Sequence, residues 1–267
     1  MLNTLWKESE LQTEGALPCW EIYHESAKTG KYDGALTNEQ VVAEMNNMYD
    51  SFPYKQFESI PLPKEMAPIS ASFLDVLEAR VTPSEIKPEI INLKQLKTLL
   101  YSAYGVTRSN ENNEYIKRPF RTVPSGGGLY PLELYFYTNG RIEGLKSGLY
   151  HYTPPADAIQ LIREGNFDEE IANGIVGFQT HLAYDTTLLL FITAVFNRST
   201  FKYREKGYRF ALMEAGHLAQ NFNLSATGLD LGVINIGGYH DRVIDEFLRI
   251  DGLNHSTIYM NGICKKT

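Results

Sequence analysis

Cysteine is nearly missing from this chain: Cys19 and Cys264 are the only two, set near opposite ends of 267 residues. A disulfide framework or a zinc cluster needs several Cys or His residues at close spacing, so neither is expected, and both thiols read as free. Long apolar runs are also missing. No stretch approaches the ~20 apolar residues that span a bilayer, and the opening "MLNTLWKESELQTEG" lacks the basic flank and apolar core of a secretory signal. The expected location is therefore the cytoplasm. Excess positive charge is a third absence. A net charge of −7 and a pI near 5.4 exclude a general nucleic-acid binder, which needs a concentrated basic surface, and leave a small-molecule or peptide substrate.

What is present is enough apolar material, 43% of the chain, for one principal domain. In "LTNEQVVAEMNNMYDSF", Thr37 and Gln40 have capping-box spacing ahead of Val41, Val42 and Met45, which predicts a helix. The prolines of "SIPLPKEMAPIS" then interrupt regular structure, and residues 59–70 are the expected boundary. This divides the chain into an N-terminal extension over 1–65 and a main domain over 66–267.

Within the main domain, "NLKQLKTLLYSAYG" starts at a cap residue, Asn92, aligns Leu93, Leu96, Leu99, Leu100 and Ala103, and stops at Gly105. "LELYFYT" and "SGLYHYT" read as neighbouring strands, and the continuously apolar "TTLLLFITAVF" as a central strand. The segment 208–229 is apolar around most of its circumference. Such a helix must be buried on several sides, as the axis of a domain or as half of a subunit interface. "DRVIDEFLRI" predicts a further helix and "STIYMNGIC" a closing strand. Strands and helices mix without regular βαβ alternation, so the expected class is α+β, a mixed sheet flanked by helices around a long buried central helix.

Two glycine runs could carry chemistry. In "RTVPSGGGLYPLELYFY" three glycines follow Pro124 and Ser125, and in "NIGGYHD" the pair Gly237–Gly238 follows the long helix. Glycine lets main-chain N–H groups come close to a flat or anionic ligand, but "SGGG" is also an ordinary turn, and both readings stand at this point. It lacks the Gly-Lys-Ser/Thr of a Walker A loop and is no GxGxxG fingerprint. "FKYREKGYRF" places Lys202, Tyr203, Arg204, Lys206, Tyr208 and Arg209 at a helix N-terminus, where the macrodipole disfavours cations. A lysine among such neighbours can act as a general base once neutral, while the alternative is a solvated charged surface. His24, His151, His181, His217 and His240 are scattered along the chain. None is expected to bind metal, and His217 is expected to be a buried core or interface residue.

Taken in order, "YGVTR" (104–108), "RTVPSGGGLYPLELYFY", "GLYHYTP", "FKYREKGYR", "EAGHLAQNFNLSATGLDLG" and "GGYHD" resemble the SagB/ThcOx-type dehydrogenases of the nitroreductase superfamily. The resemblance covers roughly residues 72–264 and extends to the oxidase subunits of microcin-type synthetases. It implies a nitroreductase-like fold and an FMN-dependent homodimer with the flavin at the subunit interface. It further implies that Pro124, Ser125, Gly126 and Gly127 lie against the flavin ring, with Gly237 and Gly238 at the opposite edge. For the flavin phosphate the matching stretch is "EARVTPSEI", with Arg80, Thr82 and Ser84. The family's usual Arg-Arg-Ser-x-Arg is reduced there to one arginine, with Arg108 and Arg121 as supplements, and surface roles for each arginine stay open.

The matching position of a catalytic Lys-Tyr pair is Lys202–Tyr203. The implied reaction is oxidation of thiazoline or oxazoline rings in a ribosomally made peptide to thiazole or oxazole, with oxygen reoxidising the flavin. Implied partners are an azoline-containing precursor peptide and cyclodehydratase subunits. Two other readings stay open: an NAD(P)H-dependent reductase of nitro compounds or quinones, and a non-catalytic scaffold subunit. For the N-terminal extension, with Trp6 and Trp20, both a partner-docking surface and a helix packed on the core remain open.

Overall fold

The computed structural model describes residues 18–30, 34, 36–113 and 117–266; Trp6 lies outside them. Its helices and strands begin with α1 (Cys19–Ser26), α2 (Asn38–Asn47), β1 (Ser59–Pro61), α3 (Phe73–Ala79) and α4 (Leu93–Tyr104). There follow β2 (Val106–Arg108), β3 (Phe120–Arg121), β4 (Leu132–Thr138), β5 (Gly148–Thr153), β6 (Ala158–Glu164), α5 (Asp168–Ala172) and α6 (Leu182–Asp185). The last are β7 (Leu188–Val195), α7 (Asn197–Tyr203), α8 (Glu205–Gly228), β8 (Leu231–Ile236), α9 (Asp241–Leu248) and β9 (His255–Lys265). Among the described residues no helix is long and apolar enough to cross a membrane.

Local chemistry explains the helix starts. The Asn92 side chain accepts from the Lys94 and Gln95 amides, each at 3.0 Å, and Gln95 accepts from the Asn92 amide at 3.0 Å. This capping box satisfies donors that the first helical turn leaves unpaired. Thr37 and Gln40 do the same for α2. The expected stop at Gly105 is also present, with its N–H donating to the Tyr101 carbonyl at 2.7 Å.

Seven strands form one sheet in the order β1-β6-β5-β4-β7-β9-β8. The fold is α+β, as expected, but one detail differs. The sheet was expected to be mixed, and each of these strand pairs is antiparallel. Short connections join β4 to β5 and β5 to β6, and such links favour antiparallel neighbours because parallel ones need a long crossover. A second difference lies inside the proline stretch, where Ser59–Pro61 pairs with β6 as an edge strand. An edge strand tolerates proline because its missing N–H falls on the unpaired side.

Helices cover both faces of the sheet. On β4, Leu132, Leu134 and Phe136 join α4 and α8 in one core, while Tyr135 and Tyr137 join α5, α6 and α9 in another. Both faces of β4 are thus buried, which is why "LELYFYT" carries bulky residues at consecutive positions. Each fully buried Leu or Phe contributes about 1.5–3 kcal/mol, so Leu218 and Phe222 anchor α8 to this sheet.

Helix α8 is buried along one side only. Ala211, Ala215, Leu218, Phe222 and Ala226 face the sheet, whereas Leu212 (40% exposed) and Met213 (53%) look outward. For His217 the core half of the expectation is corrected: within one chain it is exposed, because it falls on the outward flank with Met213, Gly216 and Gln220.

Candidate functional site

The glycine turn sits immediately before β4. Ser125 is extended, Gly126–Gly128 make one 3-10 turn, and the Gly128 amide donates to the Ser125 carbonyl at 3.0 Å. Gly127 (φ 67°) and Gly128 (φ 65°) occupy the left-handed region that glycine enters without a Cβ penalty. Leu129 then plunges into a small core with Val41 and Met45 of α2. Tyr130 also has positive φ, 46°, which strains a side-chain-bearing residue. It is held there by its amide donating to Ser125 Oγ at 2.9 Å and by its own hydroxyl accepting from the Arg121 amide at 3.0 Å.

Against this turn stands the break between α7 and α8. Arg204 there has φ 50° and ψ −136°, and its guanidinium donates to the Gly34 carbonyl at 2.7 Å. The two helices cross so closely that a Cβ at Gly207 would stand 2.7 Å from the Ser199 and Thr200 backbone. This crossing aims the end of α7 at the glycine turn. A Cβ on Gly127 would lie 2.5 Å from the Tyr203 hydroxyl and 3.0 Å from Lys202 Nζ, and one on Gly126 would lie 2.9 Å from the Phe210 ring. Tyr203 packs edge-on to Phe210, centroids 4.9 Å apart, and the Lys202 ammonium lies 5.1 Å from the Tyr203 ring centre. Bare backbone, a cation and a phenol therefore meet at one place.

Beside them opens a cavity of about 830 Å³, lined by Lys202, Tyr203 and Phe210 on one side and by Ala27, Lys28 and Val41 of the N-terminal segment on the other. That segment is tied down by the Tyr23 hydroxyl donating to the Glu205 carbonyl at 3.0 Å and by Arg209 donating to the Ala27 carbonyl at 3.2 Å.

The remaining residues singled out in the sequence fall elsewhere. Gly237 is exposed with open space where a Cβ would be, while Gly238 packs on Val176, 2.8 Å from its would-be Cβ. The 237–238 run and the 126–128 run lie toward the same end of the sheet, but β7 and β9 intervene between β8 and β4, a separation of roughly 14 Å at ordinary strand spacing. Arg80 and Thr82 follow α3, and Pro83 between them and Ser84 rests on Gly232 at the far end of β8. Arg108 is exposed and lies over the Phe120 ring at 4.4 Å. Arg121 is buried, its guanidinium 4.2 Å from the Tyr104 ring centre and 5.0 Å from that of Tyr130, with Nε unpartnered among the described residues. Within one chain, then, Pro124–Gly127 and Lys202–Tyr203 come together. Arg80, Thr82, Gly237 and Gly238 do not join them.

Of the buried carboxyls, none singled out from the sequence, two flank β4. Glu214 of α8 lies beneath the glycine turn and accepts from the Tyr104 hydroxyl at 2.6 Å. Burial pushes it up to about 7, against the hydrogen bonds from Ser125 and Tyr104 and the charge of Arg121. A charged residue in the apolar row Ala211, Ala215, Leu218 was the available signal. Glu133, on the opposite face of β4, pairs with Arg198 at 2.6 Å and His151 at 2.7 Å and accepts from Ser51 at 2.8 Å and the Phe52 amide at 3.0 Å. Burial alone would raise it, but Arg198 and His151 outweigh that and hold it well below the carboxylate range. Nothing local in the sequence links residues 51, 133, 151 and 198. Among the described residues no group of His, Cys, Asp or Glu is arranged to hold a metal ion.

Comparison with known proteins bears on the fold and the family. The model of the nitroreductase family matches residues 77–262. MJ1384 of Methanocaldococcus jannaschii, provisionally named a nitroreductase, is 35% identical over 176 residues, 66% of this chain and 83% of that protein. The microcin B17-processing protein McbC of Escherichia coli is 28% identical over 164 residues, and the match spans 60% of this chain but only 57% of McbC. Among solved structures, a chain of the E. coli microcin synthetase McbBCD complex with truncated pro-MccB17 bound superposes with a TM-score of 0.60 at 20% identity, covering 96% of this chain and 100% of that one. With more than half its length matched by the family model, the chain belongs to the nitroreductase family.

Proposed function

We propose that this protein is an FMN-dependent dehydrogenase that oxidises azoline rings in a ribosomally made peptide to thiazoles or oxazoles, with oxygen as the final electron acceptor. The observation that carries this reading is the meeting of Lys202 and Tyr203 with the uncovered backbone of Gly127. The sequence similarity to McbC, a microcin-processing protein, supports the peptide substrate.

The residues present fit a flavin. Gly127 offers main chain without a Cβ, and Lys202 and Tyr203 supply donors for the carbonyl and ring-nitrogen acceptors of an isoalloxazine. We assign Pro124, Ser125, Gly126 and Gly127 to one face of that ring. Gly237 and Gly238 are assigned to its edge, and Arg80, Thr82, Arg108 and Arg121 to its phosphate region. When bound, FMN supplies the two-electron acceptor for the ring C–H that leaves as hydride. This chain's own task is the proton. An azoline Cα–H is acidified by the neighbouring imine and carbonyl, and Lys202 Nζ takes it as general base while the Tyr203 hydroxyl orients the ring. Each such effect is worth ~10²–10⁴ in rate.

A homodimer reconciles the separated residues. Asn221 and Leu224 of α8 and the exposed Phe73 of α3 line a groove of about 660 Å³ together with Met66, Ile69 and Tyr101, and the exposed Leu212 and Met213 lie further along the same helix. A second copy on this flank gives an isologous interface and lets each site draw residues from both chains. Ala27, Lys28, Leu36 and Val41 wall the Lys202 cavity, and the 1–65 segment is assigned as an accessory unit that docks cyclodehydratase subunits. Light scattering on the purified protein should give twice the chain mass, and its absorption spectrum should show bound flavin. An azoline-containing peptide should lose two hydrogens per ring. Turnover of NADPH with a nitroarene, and none of the azoline, would instead favour the reductase reading.

A further inference from the structure

The proposed chemistry leaves Glu214 without a task. The side chain is 2% exposed, and among the described residues no cation stands at ion-pair distance. Its surroundings are Tyr104 from α4, Arg121 from β3, and Ser125 and Tyr130 from the glycine turn. The carboxyl accepts from the Tyr104 hydroxyl at 2.6 Å and the Ser125 hydroxyl lies beside it, each hydroxyl oxygen being left to accept from a backbone amide. Ser125 Oγ accepts from the Tyr130 amide at 2.9 Å, and the Tyr104 hydroxyl oxygen accepts from the Leu132 amide at 3.2 Å. One carboxyl thereby clamps, through two hydroxyls, the strained stretch that carries the chain from the glycine turn into β4.

We propose that Glu214 is the positioning residue of the Ser125–Tyr130 turn, fixing from below the shape that sets Gly127 against Lys202 and Tyr203. The inference rests on reading that turn as the flavin contact. Backbone strain such as that at Tyr130 persists only where its surroundings over-determine it, and this clamp supplies the determination. Glu214→Gln keeps one acceptor oxygen and puts an NH₂ donor in place of the other, which lowers the acceptor capacity facing the two hydroxyls. Burial that keeps the carboxyl titrating near neutrality makes the clamp sensitive to pH, with the two-armed acceptor complete only above that range.

Amide hydrogen exchange on the full-length protein, read by mass spectrometry over the peptide spanning residues 123–132, tests this without flavin. Glu214→Gln should raise exchange at Tyr130 and Leu132 about tenfold, the loss of one net hydrogen bond, after correction for intrinsic rates. In the wild type the same protection should fall between pH 8 and pH 6, and Glu214→Gln should remove that step. Ser125→Ala cuts only the turn-side arm at a partly exposed residue. It should raise exchange at Tyr130 alone, and adding Glu214→Gln should raise Tyr130 no further. Phe222→Leu, a control in the same helix, should leave the turn unchanged. Unaltered exchange at Tyr130 in Ser125→Ala, or in a folded Glu214→Gln protein, would overturn the proposal. A fluorescence titration of wild type with FMN decides the flavin reading separately, since a protein that binds none still reports on the clamp.

Discussion

The two faces of β4 carry two buried carboxyls in opposite condition. Glu133 is surrounded by partners, the Arg198 guanidinium, His151, the Ser51 hydroxyl and the Phe52 amide, and is held charged. Glu214 has, among the described residues, the Tyr104 hydroxyl at 2.6 Å, the Ser125 hydroxyl beside it and the charge of Arg121, whose guanidinium lies against aromatic rings; burial wins and the proton stays until about pH 7. The difference separates an architectural lock from an adjustable part. Glu133 ties residues 51 and 52 to the sheet. Glu214 lies under the turn where Lys202 and Tyr203 meet bare backbone, and buried groups with displaced titration cluster at such sites.

The contrast can be broken experimentally, starting with the largest effect. Glu133→Gln leaves the buried Arg198 cation without its counter-charge, and breaking such a pair costs about 3–5 kcal/mol, to be read by urea denaturation at pH 7. If Glu133→Gln costs less than Glu214→Gln, the assignment of roles is reversed.

The second test uses pH. For Glu214 the folded value, about 7, exceeds the ordinary 4.5, so the folded state holds a proton that the unfolded state releases. Its contribution is complete below pH 4.5 and is lost as pH rises through 7, an amount of about 3 kcal/mol. His255 opposes it, since burial depresses that imidazole from 6.5 to about 4 and its contribution is lost as pH falls through this window. The wild-type curve between pH 4.5 and 6.5 should therefore be nearly flat. The difference, Glu214→Gln minus wild type, should rise by roughly 2–3 kcal/mol from pH 5 to pH 8, measured by urea denaturation at both. A constant difference would mean that Glu214 is not displaced.

The smallest test compares single donors. Ser51→Ala removes one of the several partners of Glu133 and should cost about 1 kcal/mol at any pH between 6 and 8. Ser125→Ala should show its cost mainly above pH 7, where its acceptor is charged.

Much of this architecture was legible in the sequence because it is local. The capping boxes at Asn92 and Thr37, the stop at Gly105 and the strand 132–138 depend on residues within a turn of one another. The meeting of 124–127 with 202–203 followed from a family resemblance, and no spacing rule predicts it across more than seventy residues. What stayed illegible was long-range. Strand direction depends on pairing partners, so a mixed sheet was expected where neighbours run antiparallel. His217 looked buried because its neighbours are apolar, yet Met213 and Leu212 beside it are exposed as well, on a flank left open by the described residues. The Glu133 cluster draws on four remote segments, and Glu214 announced itself only as a lone charge in an apolar row.

The central claim is that Lys202 acts as a base beside a flavin seated on the glycine turn. Lys202→Ala, purified and loaded with FMN, should be assayed by mass spectrometry for the two-hydrogen loss per ring from an azoline peptide. At equal flavin loading, the account predicts oxidation at least ~10²-fold slower than wild type. Oxidation at the wild-type rate would contradict it.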